Sequence, residues 1–343
     1  MKVFRFTMSI LIGALVLVGA DARAEAKQAA ANELLDNSRL RIGVGDRYRM
    51  QAKEQWEELP EIAREHGLEL DLFQMWLTRG WTRDWVKRKE LEKLAAAGIT
   101  PVVVHYFFGD HISKERVEAQ SDAWFSSMWR LANLVRMDSP VLVVLEPEFN
   151  IKPPEGETAL TDWPWFADNL RNAAKMIREQ APNALVGVCP GDFPGPPKLE
   201  GVLGPVAKDL DFIAFQEMRA VTDPDRARAG YLDVGRAATD FAIYLQRAFH
   251  RPLLLAYMAF SSYGDWEQQQ ARAVEGLLAQ RAELQRAGVF GMIYFQLKDD
   301  PEHVGYFGKA EPHFGLLRAD GSAKPALEAF RAFGRKPSPA SRR

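Results

Sequence analysis

The sequence predicts an α/β protein built as one (β/α)8 TIM barrel, and three observations carry that expectation. Short β-branched runs alternate with longer amphipathic segments eight times along the chain. Helix follows strand throughout, with no second cluster of strands and no composition break to mark a domain boundary. Several helical segments stop at a glycine just ahead of the next strand, at Gly67, Gly98 and Gly288, where a left-handed terminal residue costs glycine little. The rival topology is an open doubly wound sheet. Its glycine-rich turn would follow the first strand, and Gly43-Val44-Gly45-Asp46 lacks the third glycine.

The first 24 residues stand apart. Lys2 and Arg5 precede an apolar run from Met8 to Ala20 and then Ala22-Arg23-Ala24, the layout of a secretory signal cut near Ala24. The expectation is a signal peptide over 1–24 and a secreted or periplasmic protein. The apolar run falls short of the roughly 18 residues a span requires, and no later segment reaches that length, so no membrane span is expected in the mature chain. The catalytic barrel is expected over 25–334, and a disordered tail over 335–343, which is polar and contains proline. Strands are expected to begin near Leu40, Glu69, Thr100, Pro140, Ala184, Asp211, Pro252 and Val289. Between them lie helical stripes such as Trp124, Met128, Leu131 and Val135, then Phe166, Leu170, Ala173 and Ile177. The weak unit runs from Ala184 to Asp211, where Pro194-Gly195-Pro196-Pro197 interrupts.

Composition narrows the function classes. The formal net charge of −2 over 343 residues, with no basic stripe, gives no footprint for a nucleic-acid partner. Cys189 is the single cysteine, so an intrachain disulfide is impossible, and it reads as a small buried hydrophobe. Six histidines show no His-Glu-x-x-His spacing, and no Gly-x-Ser-x-Gly elbow is present, so neither a metal nor a serine nucleophile is expected. No cofactor is expected. The eighth strand runs into Lys298-Asp299-Asp300-Pro301-Glu302, whose excess negative charge disfavours phosphate.

The stretch from Pro140 to Asn150 is the centre of interest, because an aliphatic strand runs straight into Glu146, Pro147 and Glu148. If the extended conformation continues, Glu146 and Glu148 project from one face as paired acids. A barrel assembles its site from residues just after each strand. Those residues are Asp46; Gln74 and Trp76; His105 and Tyr106; Glu146, Glu148 and Asn150; Asp192; Gln216 and Glu217; Tyr257; and Gln296, Lys298, Asp299 and Asp300. Acids and amides bond hydroxyls, and aromatic faces pack on sugar rings, so the rim suits a polysaccharide or oligosaccharide. Trp81, Trp163, Trp165, Phe260, Tyr263, Trp266, Tyr306 and Phe307 add aromatics to the expected loops.

At these residues the chain resembles the clan A glycoside hydrolases. Glu148-Phe149-Asn150 resembles the Glu-x-Asn that closes strand four in the cellulase and mannanase branches. Tyr294-Phe295-Gln296, Asp299, Phe314-Gly315-Leu316-Leu317, Asp320-Gly321-Ser322 and Lys324-Pro325-Ala326 resemble the last strand, loop and helix of such enzymes. The resemblance implies a (β/α)8 retaining glycosidase with Glu148 as general acid. Two departures stand against it. Tyr257 occupies the place of the strand-seven nucleophilic Glu, and Pro147 the place of the Asn or His ahead of the acid. A two-acid mechanism then needs another carboxylate, with Glu217 the first candidate, Asp299 the second and Glu146 the third. Trp76, His105, Tyr106, Asn150, Gln216, Tyr257, Gln296 and Asp299 are expected to bind substrate. Two other classes stay open: a catalytically silent glycan-binding barrel, and a barrel hydrolase or lyase of another kind.

Overall fold

A computed structural model describes residues 25, 27–47, 58–109, 112–191, 199–220 and 233–334. The signal segment, the tail and Asp192 lie outside the described residues. Eight strands form, β1 (Arg41–Arg47), β2 (Leu72–Thr78), β3 (Thr100–Tyr106), β4 (Val141–Leu145), β5 (Ala184–Val188), β6 (Phe212–Arg219), β7 (Leu253–Phe260) and β8 (Val289–Phe295). Each pairs in parallel with the next, and β8 returns to β1 to close the barrel. The (β/α)8 expectation holds, and every strand begins within three residues of its expected start. Gly67, Gly98 and Gly288 have φ of 72°, 80° and 92°, the left-handed conformation that their places ahead of strands imply.

Alternation along each strand divides the core in two. Leu72, Val102, Val104, Leu142, Val144, Phe212, Ala214, Leu254, Phe290 and Ile293 fill the barrel interior. Val44, Phe73, Met75, Val103, Val143, Leu145, Val186, Ile213, Phe215 and Leu255 face the helices. Both faces are apolar, as strands covered on both sides require. Gly45 belongs to the interior, where a Cβ would come within 2.8 Å of the Gln74 carboxamide oxygen.

The two ends of the barrel differ. A first helix, α1 (27–35), turns Leu34 into the interior cluster, with Ala31 and Leu35 packed against it. Asn37, just beyond α1, donates to the Gln285 carbonyl at 2.6 Å, and Gln285 donates to that of Asn37 at 3.0 Å, beside the start of β8. That end is plugged. At the other end the strands run into the loops that carry the polar residues. Helices α2 (Leu59–Glu65), α3 (Arg88–Ala96), α4 (Lys114–Val135), α5 (Phe166–Gln180), α6 (Glu200–Leu203), α7 (Val234–Phe249), α8 (Glu267–Ala279), α9 (Arg281–Arg286) and α10 (Pro325–Gly334) cover the outside. In α4 the Ser113 hydroxyl caps the N-terminus by accepting from the Arg116 amide at 3.3 Å. Its stripe of Val117, Trp124, Met128, Leu131 and Val135 is buried, each large side chain contributing about 1.5–3 kcal/mol of hydrophobic stabilisation. As expected, the unit after β5 has a short helix among the described residues, the four-residue α6.

One irregularity positions the site. Phe215 pairs with Leu255, but Gln216 pairs with Tyr257, so β7 carries one extra residue at Ala256. Ala256 and Tyr257 consequently both lie in the interior cluster, and beyond them Met258 faces the helices and Ala259 the interior. β6 keeps strict alternation over the same length.

Candidate active site

Glu148 leaves β4 half-buried and accepts a hydrogen bond from the Tyr257 hydroxyl at 2.7 Å. The bulge aims the phenol inward, and the Gln74 carboxamide holds the bulge by donating to the Ala256 carbonyl at 2.6 Å. Trp76, next on the interior side of β2, donates its indole N–H to the Gln74 oxygen at 3.0 Å. The Trp76 ring meets those of Tyr257, Phe295 and Tyr106 edge-on, with centroids 5.0, 5.6 and 5.8 Å away. The Cys189 carbonyl accepts from the Glu148 amide at 2.7 Å, and its buried thiol lies beside Tyr257. Burial, then the Glu148 charge, pushes the Tyr257 phenol well above its ordinary pKa, and the Cys189 thiol is raised for the same two reasons. Tyr257 therefore keeps its proton and serves as a donor. The structure brings together Glu148, Tyr257, Trp76 and Tyr106, and sets beside them Cys189, which reads in the sequence only as a packing residue.

Glu146 does not share that cleft. The extended conformation ends at Leu145, and Glu146 and Glu148 adopt φ of 43° and 59°. The two carboxylates consequently part. Glu146 accepts from the Trp124 indole at 2.7 Å, the His105 ring at 3.3 Å, and the amides of Phe107 and Phe108 at 3.3 Å each. His105 is buried on the helix-facing side of β3, 2.8 Å from the Ser127 hydroxyl of α4. The expectations of paired acids on one face and of His105 in the cleft are therefore corrected. Nothing in the sequence flags Trp124 and Ser127 as their partners, since both belong to the buried stripe of α4.

The remaining candidates are placed differently. Gln216 follows Ala214 on the interior side of β6, whereas Glu217 follows Ile213 and Phe215 toward the helices and pairs with Arg219 at 2.7 Å. Asp299 is buried and bonds the Lys324 ammonium and the Gly315 amide, each at 2.7 Å, and Lys324 also donates to Ser262 at 2.9 Å. Burial raises the Asp299 carboxyl and lowers the Lys324 ammonium, each against the pull of the other. This pair ties the β8 loop to the start of α10 rather than offering a free acid. Asn150 bridges to Gly191, with its carboxamide donating to the carbonyl and accepting from the amide at 2.7 Å each, and so clamps the β4 loop to the β5 loop. The Gln296 carboxamide, after β8, is buried with no hydrogen-bond partner among the described residues. Of the loop aromatics, Trp81 is core, bonded to Ser127 at 3.0 Å, whereas Trp165 and Tyr306 are 68% and 79% exposed.

No family model and no curated protein matches the sequence. Solved structures do. A GH5_18 protein from Bifidobacterium longum subsp. infantis superposes with a TM-score of 0.58 at 16% identity, over 88% of this chain and 80% of that one. An exo-β-1,4-mannosidase from an Opitutaceae bacterium gives 0.60 at 17% identity over 86% and 59%. A family 39 glycoside hydrolase from Bacteroides cellulosilyticus gives 0.55 at 15% over 87% and 64%. The chain has the fold of these glycoside hydrolases. At such identity the likeness concerns the barrel, as the resemblance in the sequence implies, and the residues of the mouth must speak for the chemistry.

Proposed function

We propose that this barrel is an exported glycoside hydrolase acting on a polysaccharide or oligosaccharide, with Glu148 as the general acid that protonates the leaving oxygen. The observation that carries the reading is the half-buried Glu148 carboxyl at the C-terminal exit of β4, in a mouth walled by Trp76, Tyr106 and Phe295. A half-buried carboxyl beside aromatic edges has the polarity that protonation of a glycosidic oxygen requires, and the rings supply apolar contact for a sugar. The barrel shared with glycoside hydrolases supports it. The hydroxyl of Tyr257 cannot replace a second carboxylate, since burial keeps it protonated. Glu146, Glu217 and Asp299 each have partners of their own in Trp124, Arg219 and Lys324, so Asp192, the residue after the clamped Gly191, is the next acid to test by Asp192→Asn.

One observation favours a second reading. At the β7 position where the resemblance implies a carboxylate, a phenol meets Glu148, which suits a barrel that binds glycans without cleaving them. Incubating the mature protein with β-glucans, mannans, xylans and galactans, and following new anomeric protons by NMR, separates the two. New reducing ends support the hydrolase; oligosaccharide binding without them supports the binding protein. Export rests on the N-terminal sequence alone and is tested by sequencing the mature N-terminus, expected near Ala24.

A further inference from the structure

Two residues before the proposed acid lies a buried network that the proposed chemistry leaves unused. Glu146, His105, Ser127, Trp81 and Trp124 are each at most 1% exposed. One set of proton positions satisfies the whole chain. The Trp81 indole donates to the Ser127 hydroxyl (3.0 Å), that hydroxyl donates to His105 Nε2 (2.8 Å), and His105 Nδ1–H donates to Glu146 Oε1 (3.3 Å). The Trp124 indole adds a second donor to Oε1, and the Phe107 and Phe108 amides supply two to Oε2. Four N–H groups thus converge on one carboxylate and fix its position from β3, the β3 loop and α4.

The backbone attached to that carboxylate is in an unfavourable conformation. Left-handed φ at a non-glycine residue costs about 1–3 kcal/mol, and here it recurs at Glu146 and Glu148 on either side of Pro147. Such a turn persists only where its surroundings over-determine it. The Glu146 amide donates to the His105 carbonyl at 3.0 Å and the Glu148 amide to the Cys189 carbonyl at 2.7 Å, so the turn is pinned to β3 on one side and to the β5 loop on the other. The side chain of Glu146 then pulls outward while that of Glu148 swings inward to Tyr257.

We infer that Glu146 is a positioning residue: anchored outside the barrel by four N–H donors, its carboxylate holds the strand-four exit in the turn that aims Glu148 at the Tyr257 hydroxyl. This rests on Glu148 being the acid of the cleft. Glu146→Gln replaces one acceptor oxygen by an NH2 group that faces donors, so the anchor loosens and Glu148 loses its bond to Tyr257.

The test reads Glu148 directly. In protein labelled with 13C-glutamate, the Glu148 carboxyl resonance is assigned by its loss in Glu148→Gln and titrated with pH, with Tyr257 and Cys189 as its titratable neighbours from β7 and the β5 loop, and Tyr106 of β3 beside Tyr257. Losing a donor to a carboxylate disfavours the charged form, so the midpoint is expected to rise by about one pH unit in Tyr257→Phe and likewise in Glu146→Gln. The double variant is expected to match Tyr257→Phe alone, because both changes remove one interaction. Trp124→Phe, which removes one donor and keeps the ring, serves the same purpose should Glu146→Gln not fold. A folded variant with the wild-type midpoint, or a double variant showing the sum of the two shifts, would overturn the inference. The glycosidase reading fails separately, by absence of hydrolysis in the wild type, and the titration reports on Glu146 in either case. Where hydrolysis is seen, kcat is expected to fall about tenfold or more in Glu146→Gln, with KM little changed.

Discussion

β6 and β7 lie side by side and treat their polar residues in opposite ways. β6 alternates without interruption, so Gln216 enters the barrel and Glu217 turns to the helices and Arg219. β7 gains one residue at Ala256, and Tyr257, which strict alternation would send outward with Leu253 and Leu255, turns inward to Glu148. A single inserted residue thus decides which of two neighbouring strands presents its chemistry to the cleft. The exit of β4 makes the same point by another route, since two left-handed residues separate acids that regular extension would have paired.

The largest effect is expected at the acid itself. Glu148→Gln keeps shape and removes the proton, and turnover is expected to fall by about 10² to 10⁴ in steady-state assays, whereas a nearly unimpaired variant would take the cleft away from the β4–β7 pair. Next comes the helix-facing acid. Glu217→Gln removes the buried charge that pairs with Arg219 at 2.7 Å and is expected to lower stability by about 1–3 kcal/mol in urea unfolding while kcat stays within a few-fold. A collapse of kcat at unchanged stability would put Glu217 back in the mechanism. Gln74→Ala leaves the buried Ala256 carbonyl without its donor, and a loss of about 1–3 kcal/mol in stability is expected together with reduced turnover, as the bulge loosens.

The aromatic contacts of the mouth involve smaller effects. Trp76→Ala is expected to weaken oligosaccharide binding by roughly 1 kcal/mol in calorimetry, with the fold retained. Tyr257→Phe is expected to reduce kcat by no more than about tenfold. Its clearer signature is in stability. The phenol is raised in the folded state, so its contribution is complete below the ordinary value near 10 and is lost as pH rises toward the folded value. Tyr257→Phe is therefore expected to flatten the fall in thermal stability above about pH 10.

The sequence carries the barrel plainly because its signals are redundant: eight apolar runs, their order and the glycines ahead of three strands agree. The resemblance to clan A also places Tyr257 at the mouth. What the sequence does not carry is which way the neighbouring residues face. β6 and β7 are apolar on both sides, from Phe212 to Phe215 and from Leu253 to Ala256, so hydrophobic alternation offers no marker of inside and outside. Glu217 and Gln216 look equivalent there, and the bulge leaves no trace. Glu146 misleads for a different reason. Its partners, Trp124, Ser127 and His105, come from α4 and β3, and an acid that buries itself among distant donors is indistinguishable in sequence from one that faces substrate. Asp299 is similar, because Lys324 lies 25 positions away and their bond is a product of the closed fold.

The most direct measurement is a crystal structure of Glu148→Gln with an oligosaccharide in the mouth. The side chain at position 148 is expected about 2.6–3.2 Å from a glycosidic oxygen, still beside the Tyr257 hydroxyl, with Trp76 or Tyr106 against a sugar ring and Glu146 and Glu217 touching no part of the ligand. A sugar seated away from position 148, or one whose glycosidic oxygen meets Glu217, would contradict the account.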